Sequence, residues 1–279
     1  MRLLLCTDGS PYAERAAQFG ALIARAASAE VVLLGIAESR RSEAGVSAAL
    51  ARLRELIDGT LTVTSIKRRT GQAAEQILAD SASAAYDLIV IGSRGRRGLR
   101  RLVLGSTAAT LAKYSRVPLL IVKGARMRLR RILVCTGGEV VAEASARLGG
   151  LIAGASGSAV TLLHVMSQIP IAAKADLLEL GGTAEEAIAA GTREGQHLER
   201  GLNLLRQAGA AGDVQPKIRR GFVVDEILDE ADSGDYDLIV IGAHQAPPQA
   251  AWRGLREMLL DDVADRVVSQ CQRPVMVVR

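Results

Sequence analysis

One glycine-rich segment of this 279-residue chain has the spacing of a phosphate-binding loop. Two residues separate Gly92 from Gly95, nine more precede Gly105, and Ser106 and Thr107 follow directly. Glycine lets the backbone approach an anion closely, and the free N–H groups at the start of a helix add positive potential. The segment therefore predicts a site for a phosphate group, with backbone amides and hydroxyls as its donors.

Arginines are concentrated in the same loop. Arg94 stands between the first two glycines, and a guanidinium matches the geometry of a phosphate. We therefore expect Arg94 to contact the anion. The other arginines of the loop are expected to face solvent: Arg96, Arg97, Arg100 and Arg101.

The loop lies between a predicted strand and a predicted helix. Residues 87–91 form an apolar run typical of a buried strand, and residues 107–112 begin a helical pattern. Ser10 followed by Pro11 is a helix start signal. The same reading of the first half predicts strands near residues 2–7, 30–36, 61–66, 87–92 and 118–123, and helices near residues 11–28, 43–58, 71–83 and 105–115. This alternation indicates a parallel sheet with helices on both faces.

The second half of the chain repeats the first. Four segments recur in the same order, which predicts a duplicated domain, residues 1–125 and 129–279, joined by a basic junction. Extra residues lie between the second and third strands of the second copy, where residues 183–209 predict one long helix. The matched pairs are residues 3–9 with 132–138, 31–36 with 160–165, 86–92 with 236–242, and 117–122 with 273–278.

Composition favours this fold class and argues against some functions. Apolar residues make up 49% of the chain and aromatic residues only 3%, so the cores consist of Ala, Val, Leu and Ile, as in parallel α/β proteins. The formal net charge is +5, but apart from the loop the arginines are scattered over both halves, and few aromatic residues accompany them. A nucleic-acid-binding surface is therefore not expected.

Cysteines and hydropathy bear on metal binding and location. Cys6 and Cys135 stand at matching strand ends, which indicates small buried residues. No CxxC motif and no Cys/His cluster with metal spacing occurs, so no metal-ligating residues are predicted. The first apolar run is too short for a signal peptide, and no run approaches the length of a membrane span. We expect a cytoplasmic protein with no membrane partner.

With this loop and this repeat, the chain resembles the universal stress protein family over essentially its whole length. The resemblance implies two tandem, doubly wound, open parallel five-stranded sheets of Rossmann-like α/β type. It also implies an adenine nucleotide, ATP with Mg²⁺ on its phosphates, at the carboxyl ends of the strands, where such sheets bind ligands. The site implied by the resemblance comprises Asp8, Gly35, Ile36, Gly92, Arg94, Gly95, Gly105, Ser106 and Thr107.

The resemblance also implies roles for residues outside the loop. Asp8 would accept hydrogen bonds from ribose hydroxyls or the adenine amino group, its alternative role being that of a turn or helix-cap residue. Gly35 and Ile36 would offer backbone groups to the adenine. Single-domain relatives pair through their last strands, and this chain could make that pairing internally, near residues 119–122 and 275–278. Further pairing into a homodimer is left open.

The second half departs from the binding pattern. Gln245 and Gly137 replace a loop glycine and the aspartate, and the loop that follows is longer and contains two prolines, which lack an N–H donor. Asp261 and Asp262 align with the phosphate-binding positions, where they would repel a triphosphate. We expect this half to bind no ATP and these aspartates to lie in the first turn of the last helix. His164 is expected to be a packed strand histidine.

The favoured function is a nucleotide-dependent stress-response or signalling module with one ATP site. No general acid–base pair and no nucleophile beside a histidine can be identified. An enzyme is therefore not predicted beyond slow ATP hydrolysis or autophosphorylation, with Ser106 or Thr107 as the acceptor. A scaffold that binds no nucleotide, with the loop retained for its structure, is the remaining alternative.

Overall fold

The computed structural model of the protein describes residues 1–57, 61–95, 104–137, 139–167, 182–243 and 255–279. The chain forms two compact units, one of Met1–Leu129 with Ala243–Arg279 and one of Arg130–Gly242. These units differ from the two sequence repeats, because the end of the second repeat belongs to the first unit. The predicted boundary between the repeats at residues 125–129 stays a prediction about the duplicated sequence.

The first unit begins with an alternation of five strands and four helices. The strands are parallel and lie in the order β3-β2-β1-β4-β5, which confirms the doubly wound topology. The strands are β1 (Arg2–Thr7), β2 (Glu30–Ala37), β3 (Thr62–Thr70), β4 (Leu88–Gly92) and β5 (Leu119–Val122). The helices are α1 (Pro11–Ala26), α2 (Arg40–Ile57), α3 (Ala73–Ser83) and α4 (Ser106–Tyr114).

The second unit has the same order of parallel strands up to its fourth strand, β9-β6-β7-β8. Its strands are β6 (Arg131–Thr136), β7 (Ala159–Ser167), β8 (Val214–Gly221) and β9 (Leu238–Gly242). Its helices are α5 (Glu139–Ser156), α6 (Ala184–Ala189), α7 (Arg193–Gln207) and α8 (Val223–Ser233).

The last two elements, α9 (Leu255–Gln270) and β10 (Val275–Val278), complete the first unit. Strand β10 pairs antiparallel with β5, with Val275 opposite Ile121 and Val277 opposite Leu119. The last strands of the two repeats therefore pair within the chain, as predicted.

Two cations reinforce this pairing by capping helix ends. The Lys123 ammonium follows β5 and donates to the carbonyls of Ser269 at 3.2 Å and Cys271 at 2.9 Å, at the end of α9. The Arg279 guanidinium follows β10 and donates to the carbonyl of Ala112 in α4. Each cation thus satisfies carbonyls that the end of a helix leaves without a partner.

Most local predictions agree with these elements. Ser10 caps α1, since its hydroxyl accepts from the Ala13 amide at 3.2 Å, and Pro11 begins the helix. Cys6 and Cys135 are buried strand residues, as expected. Strand β3 extends to Thr70, beyond its predicted end.

The long helix predicted over residues 183–209 is wrong. The segment forms α6 and α7, separated at Gly191, whose φ of +64° lies in the left-handed region. Thr183 and Thr192 each cap one helix by accepting from the amide three residues on. The sequence has a helical pattern on both sides of Gly191, so the pattern alone does not reveal the break.

Each unit has a buried carboxylate that accepts hydrogen bonds from a basic side chain and a tyrosine. In the first, Asp80 accepts from Lys67 at 2.9 Å and from the Tyr86 hydroxyl at 2.9 Å. In the second, Glu230 accepts from Arg219 at 2.9 Å and from the Tyr236 hydroxyl at 2.8 Å. These buried acids tie α3 to β3 and α8 to β8, and so hold the outer strands against the helices.

The Glu230 cluster predicts acid sensitivity. Burial raises the pKa of Glu230, but hydrogen bonds from Lys217, Tyr236 and Arg219 lower it more, so the pKa lies below its ordinary value. A carboxylate with a depressed pKa stabilises the fold above its unfolded pKa of about 4.3, and this stabilisation is lost as the pH falls through the folded pKa.

Glu230→Gln should therefore lower the free energy of unfolding at pH 7 by about 2 kcal/mol, and the difference from the unsubstituted protein should shrink in acid. Urea unfolding at pH 7, 5 and 3.5 measures both effects. Asp229→Asn, an exposed acid on the same helix, is the matched control and should change little. A loss of unfolding free energy in Glu230→Gln that is the same at all three pH values would contradict a lowered pKa of Glu230.

Candidate functional site

The carboxyl ends of the central strands in the first unit open into a cavity of about 710 Å³. It lies where β1 and β4 are neighbours, the point at which the strand order reverses and doubly wound sheets bind ligands. The structure brings together eight of the nine predicted site residues around this cavity. They are Asp8, Ile36, Gly92, Arg94, Gly95, Gly105, Ser106 and Thr107.

Gly35 is the predicted residue that does not line the cavity. A Cβ there would lie 2.6 Å from the side chains of Val46 and Leu50 in α2, so glycine is needed for that helix to pack on β2. The role of Gly35 toward adenine stays a prediction, and its neighbour Ile36 is the strand residue that lines the cavity.

Asp8 takes part in a turn and also faces the loop. Its Oδ1 accepts from the Ser10 amide at 2.9 Å, across Gly9 with a φ of +78°. Its Oδ2 lies 2.8 Å from where a Cβ of Gly95 would stand. The turn role is therefore present in the structure, and the second glycine of the loop is needed because the Asp8 carboxylate covers it.

Gly92 is constrained by the first helix. A Cβ at this position would lie 2.8 Å from the carbonyl carbon and oxygen of Tyr12 and 2.9 Å from the Ala13 nitrogen. Strand β4 and the first turn of α1 therefore touch through their backbones. The residue lines the cavity, but this contact with α1 already explains why it is glycine.

The start of α4 presents amide donors to the cavity. Gly105 caps the helix, and its amide donates to the Ser93 carbonyl at 2.9 Å. The first helical hydrogen bond runs from the Ala109 amide to the Gly105 carbonyl at 3.0 Å. The N–H groups of Ser106, Thr107 and the next residue precede this bond, so the helix itself offers them no acceptor. Such a helix start binds anions.

Basic side chains lie beside the loop. The Arg94 guanidinium carbon lies 5.6 Å from the centroid of the Tyr12 ring. Burial lowers the pKa of Lys123 to about 8, and the charge of Arg94 acts in the same direction, against an opposite influence of Cys271. The loop end of the cavity is therefore basic. Arg96, Arg97, Arg100 and Arg101 lie outside the described residues.

Sequence reasoning missed the part of the lining that follows β2. Glu38, Ser39 and Ser42 line the cavity, together with Ala73 and Ile77 of α3. The Ser42 hydroxyl donates to the Ser39 carbonyl at 2.8 Å, which closes the first turn of α2. Glu38 and Ser39, which directly follow the buried strand β2, were the available signal, because strand ends of a parallel sheet meet at one edge.

The same edge of the second unit carries different chemistry. His164 of β7 stands at the position that matches Gly35, and its ring centroid lies 5.3 Å from that of His197 on α7. The Thr136 hydroxyl is hydrogen-bonded to His197 Nε2. Burial lowers the pKa of His164, which is half-buried. It is a packed strand histidine, as predicted.

Other predictions about the second half concern the last helix and its loop. Helix α9 begins at Leu255, so Asp261 and Asp262 lie within the helix and not in its first turn, contrary to prediction. The helix starts before the positions that align with Gly105 and Ser106. Gln245 and the loop that follows lie outside the described residues, and the absence of ATP binding in this half stays a prediction.

Neither a cluster of metal ligands nor a membrane-spanning helix occurs among the described residues. In that part of the chain, no group of three or more His, Cys, Asp or Glu side chains is arranged to hold a metal ion. No helix in the same residues combines the length and the apolar character needed to span a membrane.

Comparisons with known proteins bear on this fold and cavity. The profile of the universal stress protein family matches residues 1–123 and again residues 128–279. A universal stress protein of Mycolicibacterium smegmatis is 28% identical over 228 residues, which cover 78% of this chain and 69% of that protein. The crystal structure of a universal stress protein from Archaeoglobus fulgidus covers 99% of this chain and 97% of its own, with 18% identity and a TM-score of 0.63.

Solved structures of single-domain relatives include nucleotide complexes. A universal stress protein in complex with cAMP is 20% identical, covers 54% of this chain and 97% of its own, and has a TM-score of 0.38. A shorter universal stress protein from Archaeoglobus fulgidus, in complex with dAMP, is also 20% identical, covers 55% of this chain and 100% of its own, and has a TM-score of 0.36.

Proposed function

Because the chain belongs to the universal stress protein family, with two copies of its domain, we propose that its first unit binds one adenine nucleotide, ATP, in the cavity beyond β1 and β4. The observation that carries the proposal is the start of α4, whose first amides and the hydroxyls of Ser106 and Thr107 line the cavity beside Arg94. A helix start with a neighbouring guanidinium is suited to a phosphate chain.

The other end of the cavity suits a nucleoside. The Asp8 carboxylate lies at the end of β1, where it can accept hydrogen bonds from ribose hydroxyls, and Ile36 lies at the end of β2, where its backbone can meet a purine. The cavity volume of about 710 Å³ is in the usual range for small-molecule sites, roughly 300–1,000 Å³. Adenine and phosphates thus have separate sets of partners.

Mg²⁺ fits the site as a companion of the nucleotide. Magnesium binds through one or two carboxylates together with substrate phosphates and waters. The described lining offers the Glu38 carboxylate and the hydroxyl-bearing residues Ser106 and Thr107 of the α4 start, which is a set of hard oxygen donors. These residues would hold the ion only with the phosphates present, and the ion would neutralise phosphate charge.

We further propose that nucleotide occupancy serves a stress-response or signalling role. The loop connects β4 to α4, and α4 is held at its other end by Arg279 of the last strand. Phosphates bound at the start of α4 would therefore act on a helix that the last strand of the second repeat also contacts. In this proposal the protein signals through the binding of nucleotide and not through its hydrolysis.

Stoichiometry tests the proposal. We expect isothermal titration with ATP and Mg²⁺, and nucleotide released by acid extraction, to give one ATP per chain. A value near two would show that the second unit also binds, and no binding would place the chain among scaffolds. GTP is the matched control ligand, because it shares the phosphates but not the adenine edge. Incubation with labelled ATP reports on slow hydrolysis or on phosphorylation of Ser106 or Thr107.

A further inference from the structure

An aromatic ring of the first helix lies against the arginine of the candidate phosphate site. Arg94 lines the cavity directly after β4, and its guanidinium carbon stands 5.6 Å from the centroid of the Tyr12 ring. A cation within about 6 Å of an aromatic centroid is attracted to the face of the ring. The ring can therefore select one orientation of a long and flexible side chain.

Tyr12 is itself held in place by the backbone. It lies in the first turn of α1, which Ser10 caps and Pro11 begins. Its carbonyl lies against Gly92, with 2.8 Å between the carbonyl atoms and the ideal Cβ position of that glycine. Because strand and helix touch here, the backbone that carries the Tyr12 ring is held against the end of β4.

Arg94 has a reason to need such support. Lys123 follows β5 and is tied to the carbonyls at the end of α9, and it is close enough to Arg94 for the arginine to disfavour its protonated form. The two positive charges repel each other, although Lys123 is not among the residues that line the cavity. The face of the Tyr12 ring offsets part of this repulsion by stabilising one of them.

The second repeat lacks both members of the pair. At the positions that match Tyr12 and Arg94 it has Val141 and His244. The half that has lost the aspartate and the second glycine of the binding pattern has thus also lost the ring and the guanidinium together. This is the change expected if the ring serves the arginine.

We propose that Tyr12 is a positioning residue, whose ring holds the Arg94 guanidinium at the phosphate end of the cavity. The inference deepens the proposed nucleotide-binding function and rests on it. In this proposal the aromatic ring of Tyr12 positions Arg94, and the phenolic hydroxyl has no role. Substitutions of Tyr12 should therefore change the affinity only for ligands that carry phosphates.

Titration of variants tests the ligand side of the proposal. Tyr12→Ala should weaken ATP binding roughly two- to fivefold, the equivalent of an exposed cation–π contact, and leave adenosine binding unchanged. Tyr12→Phe should bind ATP like the unsubstituted protein. In an Arg94→Ala background, Tyr12→Ala should have no further effect. Equal losses for ATP and adenosine, or a loss that persists without Arg94, would overturn the proposal.

A second measurement tests the contact between the Tyr12 ring and the Arg94 guanidinium without any nucleotide. In NMR spectra of arginine-labelled protein, the Nε–H resonance of Arg94 should move in Tyr12→Ala, where the ring current is lost, and should stay near its place in Tyr12→Phe. Arg94→Lys assigns the resonance. An unchanged resonance in Tyr12→Ala refutes the contact even where ATP binds, whereas a shifted resonance in a protein that binds no ATP leaves the contact standing and refutes the proposed function.

Discussion

Gly92→Ala is expected to destabilise the first unit by about 2–3 kcal/mol, the usual cost of forcing extra atoms into a packed contact. The added Cβ would lie 2.8 Å from the carbonyl of Tyr12 and 2.9 Å from the Ala13 nitrogen. These are backbone atoms of a capped helix, so no side chain can rotate away, and α1 must move from β4 as a whole. Urea unfolding followed by circular dichroism measures the loss.

The chain offers a matched control for this substitution. Gly92 is the last residue of β4, and Gly137 directly follows the carboxyl end of β6. A Cβ at Gly137 meets nothing within 4 Å among the described residues. Gly137→Ala should change the free energy of unfolding by no more than about 0.5 kcal/mol. Similar small effects at both positions would mean that α1 can retreat from β4, and Gly92 would then have no steric reason to be glycine.

Ser106→Asp is expected to weaken ATP binding by about 10- to 100-fold, which corresponds to the loss of one or two charge-assisted hydrogen bonds. Ser106 is the exposed first residue of α4, so the new carboxylate would occupy the place of the phosphates. An acid in the first turn of a helix favours the helix, and the fold should remain as stable as before. Calorimetric titration measures the loss of ATP affinity, and thermal unfolding measures the stability of the fold.

Ser106→Asn isolates the effect of charge. The amide has the shape of the aspartate without its charge, and ATP binding should stay within about threefold of the unsubstituted protein. Gly105→Asp is a poorer probe, because its Cβ would lie 3.2 Å from the Ser93 carbonyl oxygen and would disturb the loop as well. If aspartate and asparagine at position 106 weaken binding equally, the start of α4 does not meet phosphate.

Much of the first unit could be predicted from the sequence, because its signals are local. Apolar runs mark β1, β2, β4 and β5, and the Ser10–Pro11 pair marks the start of α1. The spacing of the glycines indicated a phosphate loop after β4, whereas Asp8 and Ile36 were added to the site by the family resemblance. Those signals depend on neighbouring residues and need no knowledge of tertiary contacts.

The reasons behind individual glycines could not be predicted in this way. Gly35 is glycine because α2 lies on it, and Gly92 because α1 does. Both contacts join elements that are distant in sequence, so a binding motif and a packing requirement look the same before folding. The polar residues after β2 were overlooked for a related reason, since their place at the cavity depends on where α2 turns back.

The second repeat was harder to predict where it departs from the first. Gly191 and Thr192 end one helix and begin another, but an amphipathic pattern that runs across both conceals the break. The membership of α9 and β10 in the first unit has no local signal at all. A duplicated sequence predicts two similar folds and cannot say which elements will pack together.

That membership has a consequence for how the protein is made. The apolar strand β5 leaves the ribosome early, but β10, the partner that covers its edge, follows only after the whole second unit has been translated. Until then the nascent first unit exposes an unpaired apolar edge of the kind that seeks other strands. Maturation of the first unit is thereby delayed until the second repeat has been synthesised, and a prematurely terminated chain would keep its aggregation-prone edge open to chaperones and proteases.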